Sequence, residues 1–158
     1  YNSYMIEKRY ISGLLFERAA HFYKDDHNHL KVRVFERYKE QTHLIYAHYF
    51  DDKLLYIGES SVHFIKRMKC YCSHPGAANV RVRDYVNSIF HGNHRDPDLC
   101  TFVHIPKKKL VINEELSINP YVAIEQELIN IHKPVLNRKN VHRKKNISNR
   151  GRYEYKSY

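Results

Sequence analysis

Apolar residues recur along the chain with two periods, and the period assigns the elements. Residues 5–23 place Ile6, Tyr10, Leu14, Phe16 and Ala20 near one side of a helix. Residues 25–29 are a polar break. Residues 30–38 alternate, with Leu30, Val32 and Val34 set against Lys31 and Arg33, which predicts a strand added to a sheet edge. Residues 43–58 hold two short apolar runs with Asp51 and Asp52 between them, a hairpin pattern that Gly58 closes. A short helical run follows and carries Arg67 and Tyr71, four apart and therefore on one face. Ser73-His74-Pro75-Gly76 signals a turn, and residues 77–90 read as a helix bearing Arg81 and Arg83. Residues 91–97 form a loop, and residues 99–105 a third core strand.

The last periodic segment carries the chemistry. Asn119 is a good N-cap, Pro120 suits the first helical position, and Pro134 ends the helix by restricting Lys133. Val122, Ile124, Leu128, Ile129 and Ile131 recur at near-helical spacing, and two carboxylates, Glu125 and Glu127, interrupt them. Two residues apart on a helix, they point roughly 200° apart, so at most one faces the core. Glu125 shares its register with Val122, Leu128 and Ile129 and is the expected buried acid; two solvated acids on a surface helix are the alternative.

Tyr46 in Leu44-Ile45-Tyr46, Tyr56 in Tyr56-Ile57-Gly58, Arg67, Glu125 and Asn137 stand in an order that resembles the GIY-YIG nuclease superfamily. The run Lys133-Pro134-Val135-Leu136-Asn137, with its spacing from Glu125, looks very like the corresponding end of the excision-repair incision nuclease domain. The resemblance covers residues 43–137 and departs at three places, one of them an extra residue between Gly58 and Arg67. Leu44 stands where the family's first motif has its leading glycine, and Glu59 where a basic residue often follows the second. A like charge near Glu125 would raise a carboxylate pKa or add a metal ligand.

What the resemblance implies is an α+β fold, with a small, mostly antiparallel three-stranded sheet flanked by helices. Residues 1–40 would be an N-terminal helix/strand extension, residues 41–137 the nuclease core, and residues 138–158 a basic tail. The implied activity is that of a metal-dependent DNA endonuclease of restriction or phage type. Glu125 would hold one Mg²⁺ or Mn²⁺, Tyr46 or Tyr56 would deprotonate or orient the water, and Arg67 would clamp the scissile phosphate. Tyr71 and Asn137 would position phosphate or close the site. A palindromic target would call for a homodimer or higher homo-oligomer. A non-catalytic nucleic-acid-binding module that kept the fold is the competing reading, and a tail-driven scaffolding protein a third.

Charge sharpens this picture. Of the net charge of +10, residues 135–158 carry +7, from eight basic residues and one acid. Arg138, Lys139, Arg143, Lys144 and Lys145 lie in that tail, which lacks apolar periodicity and reads as a basic arm for phosphates. Lys107, Lys108 and Lys109 form a second run that either grips phosphate or is merely solvated. Three cysteines do not make a disulfide framework, which points to an intracellular setting, cytoplasmic or nuclear by source. Cys70, Cys72, His74, His91, His94, Cys100 and His104 hold no regular zinc spacing. No run is long enough to span a membrane, and no signal-peptide pattern opens the chain.

Overall fold

The structure, a computed structural model, describes residues 7–91 and 96–137. Strands β1 (Lys8–Ile11), β2 (Leu14–Lys24), β3 (Leu30–Val34), β4 (Leu44–Phe50), β5 (Lys53–Ser60) and β6 (Leu99–His104) form one antiparallel sheet. Its order is β1-β2-β6-β4-β5. β3 also pairs with β2, on the edge that β1 uses, because Glu17 sits between Lys8 and Val103 while Ala20 sits between Val34 and Thr101. The sheet is thus twice the expected three strands, and β6 is its central strand.

The expected N-terminal helix is absent: β1 and the first half of β2 are a hairpin. Ser12 and Gly13 both have positive φ, 49° and 77°, the two-residue turn whose twist suits antiparallel strands. β2 is buried on both faces through Phe16, Ala19, Ala20 and Phe22, so the alternation that marks a strand is blurred and near-helical spacing emerges by coincidence. The strand expected over 30–38 stops at Val34 and gives way to a 3-10 turn at Glu36–Tyr38. β5 runs two residues beyond Gly58.

Helices α1 (Phe64–Ser73) and α2 (Ala77–Ile89) cover one face of the sheet, and α3 (Tyr121–His132) covers the other. Period-2 alternation divides β4 between them. Leu44 and Tyr46 join Phe64, Met68 and Val82 under α1 and α2, while Ile45 and Ala47 join Leu128 and Ile129 under α3. α3 begins one residue later than expected: Pro120 is its N-cap, and Asn119 Oδ1 accepts from Tyr121 N at 3.2 Å. It ends at Lys133, held in the left-handed region at φ 44°, before Pro134. A short ribbon, β7 (Leu110–Val111) with β8 (Ser117–Ile118), precedes it. Among the described residues no helix is long and apolar enough to cross a membrane.

Candidate active site

Tyr46 and Tyr56 lie on neighbouring strands, as the hairpin pattern predicts. Tyr46 sits opposite Gly58 and Tyr56 opposite His48, and Asp51 turns the chain between the strands at φ 49°. The ring of Tyr46 lies over Gly58. A Cβ there would stand 2.5 Å from Tyr46 Cζ and Oη and 2.8 Å from Tyr56 Cε1. Gly58 is therefore required by close packing and not by backbone conformation.

From α1, Arg67 and Tyr71 reach the same place. The Tyr46 and Tyr71 hydroxyls are 2.6 Å apart, and Arg67 Nη2 donates to Tyr71 Oη at 3.0 Å. Arg67 Nη1 donates to Asn79 Oδ1 at 2.8 Å, and its guanidinium carbon stands 4.6 Å from the Tyr71 ring centroid and 5.7 Å from that of Tyr46. The Tyr56 ring lies 6.2 Å from Tyr46 and 6.3 Å from Tyr71. His48 completes the box at 4.7 Å from Tyr71, with its Nδ1 2.8 Å from Thr101 Oγ1. Edge-to-face aromatic contacts of this kind contribute about 0.5–1.5 kcal/mol each.

Burial sets the protonation states. It pushes the Tyr46 phenol well above its ordinary value, and Tyr56 adds to the effect; Arg67 opposes both without offsetting them. Tyr71 is raised for the same first reason. Burial, then the Arg67 charge, pushes the His48 imidazole down to about 3. At neutral pH the box is therefore two neutral phenols and a neutral imidazole around a guanidinium. Burial opposes the charge of Arg67, but Tyr46, Tyr71 and Tyr56 outweigh it, so the cation persists. Tyr46 as it stands is a hydroxyl that orients, not a phenolate that abstracts a proton.

The Arg67 guanidinium donates to an amide oxygen and to a phenol. Arg9, Arg18 and Arg37, on the β1–β2 side, are all ion-paired, to Asp52, to Glu7 with Asp98, and to Glu17 respectively. A half-buried guanidinium bound to neutral oxygens keeps its charge for an incoming anion.

Glu125 is the buried acid of α3, at 3% exposure, whereas Glu127 is exposed. The structure gathers Tyr46, Tyr56, Arg67 and Tyr71 on the α1–α2 face. Glu125 belongs to the helix packed on β4 and β5 from the opposite face. Glu59 lies on that side too. It pairs across the strands with Ile45 and, after burial, helps raise the phenol of Tyr121, one helical turn before Glu125.

Asn137 connects the two faces. Its Oδ1 accepts from Ile57 N at 2.9 Å and its Nδ2 donates to Ile57 O at 2.8 Å, so its amide takes the place of a further strand on the β5 edge. Leu136 N donates to Leu55 O, and Arg81 Nε donates to Leu136 O at 3.0 Å. Both ends of the Asn137 amide are thus engaged with backbone, which makes it a clamp on β5.

Lys107, Lys108 and Lys109 are exposed. The first two line a cavity of about 540 Å³ with Arg37, Tyr38, His104 and Ile124, next to the start of α3. Arg138, Lys139, Arg143, Lys144 and Lys145 lie outside the described residues, as does His94. Cys70, Cys72 and Cys100 are free thiols. Among the described residues no three His, Cys, Asp or Glu side chains are placed to share a metal ion.

Sequence reasoning overlooked Asn79 as a member of the Arg67 cluster. Asn79 carried a signal: it falls in the buried register Asn79, Val82, Val86, where a polar residue calls for a partner.

No protein-family model matches the sequence, and no curated protein matches it. Among solved structures, a glutamate-to-alanine mutant of bacteriophage T4 EndoII superposes with a TM-score of 0.60 at 18% identity, covering 78% of this chain and 92% of that one. EndoII is a GIY-YIG phage endonuclease. The sheet order, the tyrosine pair on the β4–β5 hairpin, and that superposition agree: this chain has the GIY-YIG nuclease fold.

Proposed function

We propose that the protein is a metal-dependent DNA endonuclease of phage or restriction type, with its site built around β5. The observation that carries this is Arg67: a half-buried guanidinium, aligned by Tyr71 and Asn79 beneath the two motif tyrosines and held as a cation. Phosphate is the anion whose planar pairs of oxygens match such a fork. The likeness to EndoII supports a nuclease over a purely binding role.

Glu125 would hold the metal. A buried carboxylate is a hard-oxygen donor, which suits Mg²⁺ or Mn²⁺ completed by water and phosphate oxygens. When bound, the ion supplies charge neutralisation on the leaving oxygen. The chain's own residues do the rest. Arg67 grips the scissile phosphate, and Tyr71 fixes the guanidinium. Tyr46 braces Tyr71 through the 2.6 Å hydroxyl contact. Tyr56, at the rim of the box, orients the attacking water. Asn137 holds β5, and with it Tyr56 and Gly58, at constant height.

Incubation of supercoiled plasmid with and without Mg²⁺ tests this reading. Nicks that appear with Mg²⁺ and cease with EDTA are expected; DNA binding without nicks in any divalent ion would leave the binding-module reading in its place.

A further inference from the structure

The turn between β2 and β3 and the outer sides of α1 and α2 enclose a second concave site, a groove of about 830 Å³. Lys24, Lys31, Lys69 and Arg83 line it, and no Asp or Glu does. None of these four cations makes an ion pair among the described residues, in contrast to Arg9, Arg18 and Arg37. Asp25 of the turn is engaged with backbone, its Oδ1 accepting from His27 N at 3.0 Å and from His29 N at 2.8 Å, and is the acid that feels the charge of Lys31 at the groove's edge.

Arg83 is fixed at one wall, where Nη1 donates to Tyr71 O at 3.2 Å and Nη2 to His74 O at 3.1 Å. It therefore caps the end of α1, the helix that carries Arg67. Residues 67 and 69 point about 200° apart on that helix, so Arg67 faces the tyrosine box while Lys69 faces the groove, about one helix diameter (~10 Å) away. Four positive charges gathered in one hollow repel each other unless an anion joins them, and a chain of phosphates supplies repeated charge over that span.

We propose that this groove is a backbone-binding subsite that holds nucleic-acid phosphates flanking the bond to be cut. The proposal rests on the nuclease reading for its choice of ligand. It adds that affinity comes from the β2–β3 turn and α1, elements outside the motif-bearing hairpin.

The test is fluorescence anisotropy of a short labelled DNA duplex in EDTA, where no cleavage intervenes, over a series of KCl concentrations. A variant combining Lys24→Gln, Lys31→Gln and Lys69→Gln should lower the slope of log K against log [KCl] by about 2.7, and each single change by about 0.9. Arg83 is left in place because it holds the end of α1. Thermal melting checks the fold. If the triple variant melts early, the single Lys31→Gln and Lys69→Gln variants, both at exposed positions, carry the test. An unchanged slope and affinity in a folded variant, while wild type still nicks plasmid, overturns the groove alone. Wild type that neither binds duplex nor nicks plasmid overturns the groove and the nuclease reading together.

Discussion

His48 shows at residue scale how the box is stabilised and what it costs. Its imidazole is fully buried and held neutral, with its pKa at about 3 against an ordinary 6.5. The unfolded chain therefore takes up a proton between those values that the folded chain refuses, so stability falls as pH drops from 6.5 toward 3. Gln at this position keeps a polar partner for Thr101 without titrating. Between pH 7 and pH 5, His48→Gln should lose about 2 kcal/mol less stability than wild type in urea unfolding. Equal losses would place the acid sensitivity elsewhere. Glu59, near Tyr121 and on the same side of the sheet as Glu125, makes a second residue-scale prediction. If it perturbs the site, Glu59→Lys shifts the pH profile of cleavage; an unmoved profile makes this departure from the family pattern incidental.

Most of these residues were legible in the chain. Glu125 followed from helical phase, because at most one of two acids two residues apart faces inward and Glu125 shares its register with Leu128 and Ile129. Arg67 and Tyr71 followed from a spacing of four. The engagement of Asn137 with Ile57 was not legible, because an amide that replaces a strand partner is a long-range contact with no local pattern.

At the scale of elements, the helices α1, α2 and α3 emerged nearly in place because each buries one face, and β4, β5 and β6 because each is a short apolar run bounded by polar or turn residues. These patterns failed at β1–β2. There the strand is covered on both sides, and only the Ser12-Gly13 dipeptide marked the turn. The same elements explain how the site is held. β5 is an edge strand that carries Tyr56 and Gly58, and its outer groups at Ile57 are satisfied by one side chain. Asn137→Ala removes both bonds and should cost about 1–3 kcal/mol in urea unfolding, with faster hydrogen exchange at the Ile57 amide. Unchanged stability and exchange would mean that neighbouring backbone, such as Leu136 to Leu55, holds the edge unaided.

Over the whole molecule, charge is sorted by region. The β1–β2 side pairs its arginines with acids, whereas α1 and α2 bind theirs to neutral oxygens, and the run from 135 to 158 holds +7 of the net +10. The nucleic-acid partner proposed above would meet the cations that form no ion pair among the described residues. Removal of residues 138–158 should weaken duplex binding and flatten its salt dependence. A slope equal to that of the full chain would show that the arm does not touch phosphate.

The central claim is that Glu125 and Arg67, brought to β5 from opposite faces of one sheet, act on a single phosphodiester bond. It is tested most directly by plasmid nicking with Mg²⁺, comparing wild type and Glu125→Ala at equal DNA occupancy measured in EDTA. The account predicts a loss of about three orders of magnitude in nicking rate with binding retained, in line with the several kcal/mol that a metal contributes to such a transition state. Nicking by Glu125→Ala at the wild-type rate would contradict it.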